Sequence, residues 1–374
     1  MLARGQNVPT IEQAADFVER RRPEVATLLI SRSVLLGSAD NFLKSFPGGT
    51  LYAVKANPHP EVLACLGASE IAGFDVASIE EAESVRTVCS SKPLHYSHPV
   101  KATASIRDAY KIGIRHYVVD SEVELDKILA CVSRPLSIAV RLKTPEKSGT
   151  YDFNTKFGLH PAESVPLIKR IIDAKVEWGL TFHVGSQCKH PKAFSAAIHV
   201  CHSVIENLGK MPGYLNVGGG FPVAYGQERS DLTAYFVEIK AACSRMPRVP
   251  LLCEPGRALV AESGTLVVQV IGRADDRVFL SDGVFGSFGE VNYSKIQMTP
   301  YHLTRASAVP SLAESEFRVF GPTCDSFDEL DQRLLLPATI KEGDWLIFPM
   351  MGAYSNALAS RFNGFRLPSV ELID

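Results

Sequence analysis

Between Leu51 and Glu254, short β-branched or aromatic runs alternate with segments of helical period, and this rhythm limits the possible folds more than any other feature of the 374-residue chain. The runs are TLYAVK, AGFDVAS, PLHYSHP, RHYVVDS, LSIAVRL, VEWGLTFHV, GYLNVGGG and PLLCEPG. Between them lie IEEAESVRTVC, SEVELDKILACV and AESVPLIKRIIDAKV, whose apolar residues recur every three or four positions. Eight strands alternating with helices is the count of a TIM-type (β/α)8 barrel. A doubly wound sheet stays open as an alternative, because strand order is not written in the rhythm.

After Pro255 the pattern changes. SGTLVVQVIGR, DRVFLSDG, EFRVFGPT and DWLIFPM are strands without intervening helices of similar length, which predicts a mostly antiparallel β domain. The expected organisation is an N-terminal segment (1–30) packing on the β domain, a barrel (31–256) and the β domain (257–374). The stretch 290–316 shows no period and is expected to be a long connection.

A formal net charge of -2 without runs of like charge offers nothing to nucleic acid or a membrane surface, so a small-molecule substrate is the default. No apolar stretch reaches membrane-spanning length, and MLARGQNVPTIEQAADFVERRR lacks the apolar core of a signal peptide, so a cytoplasmic location is expected. The 8 cysteines lack CxxC spacing, and there is no HxxxH, which argues against a disulfide framework or a zinc site. Seven are expected to be buried free thiols. Cys324 stands apart because of its neighbours.

In such a barrel the reactive groups sit where strands end, on the C-terminal face. Reading the strand ends gives Lys55, Asp75, His98, Asp120, Arg141, His183, Gly218 to Gly220, and Glu254. Each has an ordinary structural reading beside a chemical one. Lys55 is either a lysine snorkelling at a strand end or an amine of depressed pKa that forms an imine with an aldehyde. Gly218-Gly219-Gly220 either makes a tight turn or lets backbone N–H groups approach a phosphate, and its place after the seventh strand favours the second. Glu254 ends an apolar strand where a lone carboxylate is costly; its partner is either Arg257 or a protonated ring nitrogen. His183 is either a core histidine or a ring lying flat against another planar ring.

Together these segments resemble the fold-type III, alanine-racemase-like pyridoxal-phosphate enzymes, in particular the ornithine/lysine/diaminopimelate/arginine decarboxylase group. The resemblance runs from about Tyr52 to Phe365 through AVKAN, GFDVASIEE, KFG, FHVGSQ, VGGGFP, EPGR, SDGVFGSF, GPTCDSFD and GAYSNALASRFNGF. It implies a cofactor held as a Schiff base on Lys55, with Glu254 at the pyridine nitrogen and His183 stacked on the ring. It implies a phosphate set of Ser186, Gly218, Gly219, Gly220, Arg257 and Tyr354, with Asp75, Glu81 and Arg141 around the lysine and ring. Cys324 resembles the thiol that returns a proton to Cα once carbon dioxide has left. In this family Cys324 and Asp325 come from the partner subunit, so a homodimer with shared sites is implied.

The Cys324-Asp325 pair resembles the ornithine and lysine branch, and Asp282 stands where ornithine decarboxylases place a carboxylate for the distal ammonium. L-ornithine, giving putrescine for polyamine biosynthesis, is therefore the expected substrate. Lysine, diaminopimelate or another amino-bearing acid is the alternative. Asp282 is otherwise a cap of its Asp-Gly turn, and Asp325 a partner for an arginine. A non-catalytic cofactor-binding relative would be expected to lose Lys55 or Cys324, and a racemase would have no use for the thiol. The segment TYDFNTKFG departs from the family near Asn154 and Thr155, where a serine is expected; with Pro145 and Gly149 it is read as a mobile lid.

Overall fold

The computed structural model describes residues 8–145, 149–150, 153–225, 231–246, 248–304 and 313–374. Part of the expected lid, 146–148 and 151–152, and part of the 290–316 connection, 305–312, lie outside the described residues. Two compact units are present: residues 39–222 with 231–259 form one, and the remaining described residues the other.

The first unit is a closed barrel of eight parallel strands. In chain order they are Gly49–Ala53, Gly73–Val76, Leu94–Tyr96, His116–Val119, Ser137–Arg141, Glu177–Thr181, Tyr214–Asn216 and Leu251–Cys253. Neighbours in sequence are neighbours in the sheet throughout, and the last strand closes on the first through Gly49 and Leu252. This order excludes the doubly wound alternative. Most of the strands are buried nearly end to end, as expected where helices cover a parallel sheet, while Leu251 and Leu252 of the last are half-buried.

Local chemistry places the helix starts. Ser78 accepts the Glu81 N–H at 3.2 Å, while the Glu81 carboxylate accepts the Ala77 N–H at 2.7 Å. Ser121 repeats the first contact with Glu124. Glu81 is thus a helix cap, a contact its neighbours SIEE announce, and its carboxylate also lies within electrostatic reach of Lys55 and Asp75.

The second unit is an eight-stranded mixed sheet, mostly antiparallel. Its longest strand, Gly264–Ala274, pairs antiparallel with Thr27–Ser31, Arg277–Leu280 and Trp345–Phe348. Thr27–Ser31 and Ser369–Ile373 run parallel to each other, as do Arg277–Leu280 and Glu314–Phe320. The 290–316 stretch is not simply a connection: it holds a helix, Gly289–Tyr293, and a strand, Tyr301–Leu303, on the edge beside Trp345–Phe348. Elements of five and three residues are too short to show a period.

All eight cysteines are free, but the expectation of seven buried ones holds only for Cys188, Cys201 and Cys253. Cys65, Cys89, Cys131 and Cys243 are half-buried, on helices or at their ends, where one flank faces solvent. Cys324 is exposed. Among the described residues no helix is long and apolar enough to cross a membrane.

Candidate active site

One cavity of the barrel unit is lined by Lys55, Asp75, Ser97, His98, Arg141, His183 and Glu254, among others. Strand ends that are far apart in sequence therefore deliver their side chains to one place, as barrel geometry requires. Lys55 lies just past its strand, on the 3₁₀ turn Val54–Ala56. Its neighbours Val54, Ala56 and Asn57 are buried and give it a rigid base, while the charge of Lys55 acts on the buried Asp75, His183 and Glu254.

Glu254 and Asp75 are both buried. Burial, and then the nearby Asp75 carboxylate, push Glu254 up to about 7; burial also raises Asp75, against the pull of Lys55 and Arg141. Two neutral donors reach the same oxygen of Glu254: the Ser97 hydroxyl at 2.8 Å and the Asn216 amide at 2.6 Å, both to Oε1. A pair of buried carboxylates, one of which receives its hydrogen bonds from a hydroxyl and an amide, is a site that wants a cation or a proton.

His183 accepts the Gly185 N–H at Nδ1, 3.0 Å away, so the neutral ring carries its hydrogen on Nε2. Burial and the positive charges of Lys55 and Arg141 hold its pKa well below the ordinary histidine value, which keeps the imidazole neutral at physiological pH. Phe153 meets His183 edge-on at 4.9 Å. Arg141 sits over Phe157, 5.2 Å from the ring centre, and burial lowers its pKa against the pull of Glu254. Asp120 accepts the Gly158 N–H at 2.9 Å and so fixes the KFG turn rather than lining the cavity.

The three glycines are demanded by crowding. A Cβ on Gly218, Gly219 or Gly220 would lie 2.2 Å from Phe182 O, 2.5 Å from Glu254 O and 2.1 Å from Gly185 O, and Gly218 and Gly220 have φ of +67° and +95°. Among the described residues the Gly219 and Gly220 N–H groups donate no backbone hydrogen bond. Beside them Arg257, buried, donates to the Ser186 hydroxyl at 3.4 Å.

Residues 35–261 match the family model described as the pyridoxal-binding domain of pyridoxal-dependent decarboxylase. The chain belongs to the pyridoxal-dependent decarboxylase family. An ornithine decarboxylase of Cricetulus griseus is 30% identical over 358 residues, covering 88% of this chain and 76% of the relative. The arginine decarboxylase of Paramecium bursaria Chlorella virus superposes with a TM-score of 0.88 at 26% identity, covering 97% of this chain and 100% of that one. A Vibrio vulnificus lysine/ornithine decarboxylase, solved with putrescine, superposes at 0.85 with 30% identity and 99% of each chain covered. The closed barrel followed by a mostly antiparallel sheet is the alanine-racemase-like fold of these decarboxylases, and the chain is accordingly a pyridoxal-phosphate-dependent carbon–carbon lyase.

The cavity fits pyridoxal phosphate on its own chemistry. Lys55 supplies an amine for the aldehyde, and the Asp75–Glu254 pair suits a protonated ring nitrogen. A glycine cradle that admits no side chain, together with Ser186 and Arg257, offers a surface of donors to the phosphate.

The other decarboxylase motifs lie in the second unit. Cys324 donates from its thiol, and from its backbone N–H, to the Asn363 side-chain oxygen, each at 3.3 Å. Asp325 is half-buried and closes a turn by accepting the Phe327 N–H at 2.9 Å. Asp282 is buried and turned into its own loop: it accepts the Gly283 N–H at 2.8 Å and the Ser287 N–H at 3.2 and 3.3 Å. Burial raises it to about 6 despite those donors. The turn cap weighed for Asp282 is thus the arrangement present. Tyr354, half-buried, has a φ of 64° beside the crowded Gly352, whose Cβ would meet Val260 O at 1.8 Å.

Sequence reading alone does not single out Ser97, Asn216 or Asp328. Asp328 binds the Cys324 loop to the Asp282 loop, accepting the Val284 N–H at 2.7 Å and the Thr323 hydroxyl at 2.7 Å. For Asn216 a signal exists: a polar residue inside the apolar run before the glycines. Ser97 has none.

At the loop base, Asn154 lies in the stretch, with Thr155, where the resemblance puts a serine. Its side chain accepts the Thr144 N–H at 3.0 Å and donates to Thr144 O at 3.1 Å. The amide thereby clasps both backbone groups of Thr144, which a serine hydroxyl is too short and too poor in donors to do.

Proposed function

We propose that this protein decarboxylates a basic amino acid, L-ornithine first and L-lysine second, and that its product from ornithine is putrescine. The observation that carries the reading is the convergence of Lys55, neutral His183 and the buried Asp75–Glu254 pair on one cavity. Bound pyridoxal phosphate supplies a sink for the electron pair released when carbon dioxide leaves. Lys55 would supply the amine that holds the cofactor. Glu254 would hold a proton at the ring nitrogen, and His183, kept neutral, would pack against the ring without competing for that proton. Ser186, Gly218, Gly219, Gly220, Arg257 and Tyr354 hold the phosphate, and Arg141 balances the acids.

Cys324 hands a proton to Cα, and Asp325 receives the distal ammonium, with Asp282 as a second carboxylate. Support for that end of the substrate is the acidic pair itself, together with relatives named for ornithine, lysine and arginine. We further propose a homodimer in which Cys324 and Asp325 complete the partner's site. The exposure of Cys324, Phe327, Phe362 and Phe365 supports an interface there. Free cysteines throughout favour a reducing, cytoplasmic setting.

The test is to incubate protein and cofactor with ornithine, lysine, arginine and meso-diaminopimelate and analyse the amines. Putrescine in excess over cadaverine is expected, and one methylene separates the two by about 1–3 kcal/mol. Efficient turnover of diaminopimelate alone would sink the substrate assignment. Borohydride treatment and peptide mapping should find the cofactor on Lys55. Mixing Lys55→Ala with Cys324→Ala protein should restore activity through the one intact site of each heterodimer; no recovery from proven heterodimers would refute the shared site.

A further inference from the structure

We infer that Asn216 is a positioning residue that ties the glycine cradle to Glu254, and that with Ser97 it decides which Glu254 oxygen is presented to a bound ring nitrogen. The inference rests on the cofactor placement proposed above.

Asn216 ends the strand Tyr214–Asn216 and is buried. Its amide is used in both directions. Oδ1 accepts the Gly218 N–H at 2.9 Å, and Nδ2 donates to Glu254 Oε1 at 2.6 Å. The backbone closes the same loop, since the Glu254 N–H donates to Gly218 O at 2.8 Å. One side chain therefore joins the first residue of the glycine run to the acid at the end of the neighbouring strand. The amide orientation follows from its partners: a donor N–H faces its oxygen and a carboxylate faces its nitrogen.

Ser97 adds a second donor to Oε1 at 2.8 Å. With both donors on one oxygen the carboxyl cannot rotate without breaking two bonds, and Oε2 is left to take the hydrogen of a ring nitrogen. The charged and titratable groups facing Glu254 are Asp75 and Lys55, with Arg141, Tyr214 and the adjoining Cys253 also within electrostatic reach. Neither donor is charged, so together they orient Glu254 without neutralising it. Aspartate at 216 would have the right shape for Gly218 but would turn an oxygen toward Oε1, adding a third acid beside Glu254 and Asp75.

The experiment is a double-mutant cycle on the whole protein, with Asn216→Asp placed in the wild-type and Glu254→Gln backgrounds. Pyridoxal phosphate affinity is read by fluorescence titration at pH 6 and 8, and the melting temperature of the cofactor-free protein is read alongside. In the Glu254 background Asn216→Asp should weaken binding about tenfold or more at pH 8 and less at pH 6, where a shared proton relieves the repulsion. In the Glu254→Gln background the loss should fall within about threefold, because a glutamine amide can donate to the new carboxylate. Ser97→Ala should give a smaller loss, since it spares the Gly218 arm. Equal losses in both backgrounds would mean that Asn216 only fills space, and no loss in either would remove its role altogether; each result overturns the inference.

If Asn216→Asp folds only together with Glu254→Gln, that dependence supports the coupling directly. If neither folds, Asn216→Ala is compared in the two backgrounds, and an equal loss again overturns it. Wild-type protein that takes up no pyridoxal phosphate would refute the cofactor placement, while the melting temperatures of the four cofactor-free proteins would still decide whether Asn216 and Glu254 are coupled.

Discussion

Two buried glutamates in the barrel unit, Glu124 and Glu254, are treated in opposite ways. Glu124 lies between two cations of its own chain, with Lys101 at 3.0 Å and Lys127 at 2.5 Å, and it accepts the Lys101 N–H as well. Lys101 in turn donates to the carbonyls of His98 and Val118, both at 2.8 Å. This closed cluster fixes the segment that carries Ser97 and His98. Glu254 receives a hydroxyl and an amide instead, and its nearest acid is Asp75. A carboxylate that the fold neutralises holds the fold together; one that it leaves beside another acid is prepared for a cation from outside.

The largest effect that would sharpen this contrast is on stability. Glu124→Gln should leave Lys101 buried without its counter-charge and cost about 3–5 kcal/mol of unfolding free energy, measured by urea denaturation. A loss below about 1 kcal/mol, the scale of an ordinary exposed pair, would show that the cluster is not what holds this segment.

Glu254→Gln should behave in reverse. Folding stability should be kept or raised, because an uncompensated buried acid is removed, while turnover of the preferred substrate falls by about two orders of magnitude, equivalent to about 2.7 kcal/mol of transition-state stabilisation. Steady-state kinetics beside a melting curve separates the two. Unimpaired turnover with lowered stability would make Glu254 a second Glu124.

The smallest effect is a slope with pH. Glu254 is raised in the folded chain from 4.5 to about 7, so the folded state binds the extra proton between those values. Stability of the cofactor-free protein from this group is therefore complete below about pH 4.5 and declines as pH rises toward 7. Lys101, pushed down to about 8 by burial, acts at the other end: the unfolded chain holds the extra proton between 8 and 10.5, so stability rises over that window. Urea midpoints across pH should show the decline flatten in Glu254→Gln. A decline of the same size in the variant would assign it to other groups.

Much of the barrel site is legible in the sequence because strand ends are local features. An apolar run, its length and the residue that follows it are enough to nominate Lys55, Asp75, His183, the glycines and Glu254. The same reading places Glu81 near the lysine but misses its other task, the cap seen in the Ala77 N–H on its carboxylate. It also leaves Asp282 between two roles, of which the cap is now visible.

By itself, then, the sequence determined the alternation that makes a barrel and the identity of the groups at its mouth, because both depend on neighbours along the chain. Tertiary structure alone decided the electrostatic state of those groups. Ser97 and Glu254 are 157 residues apart and Asn216 and Glu254 are 38 apart, yet they share one oxygen. A carboxylate's charge depends on which donors, acids and cations surround it in space, and barrel closure assembles those surroundings from strands with no sequence relation to one another.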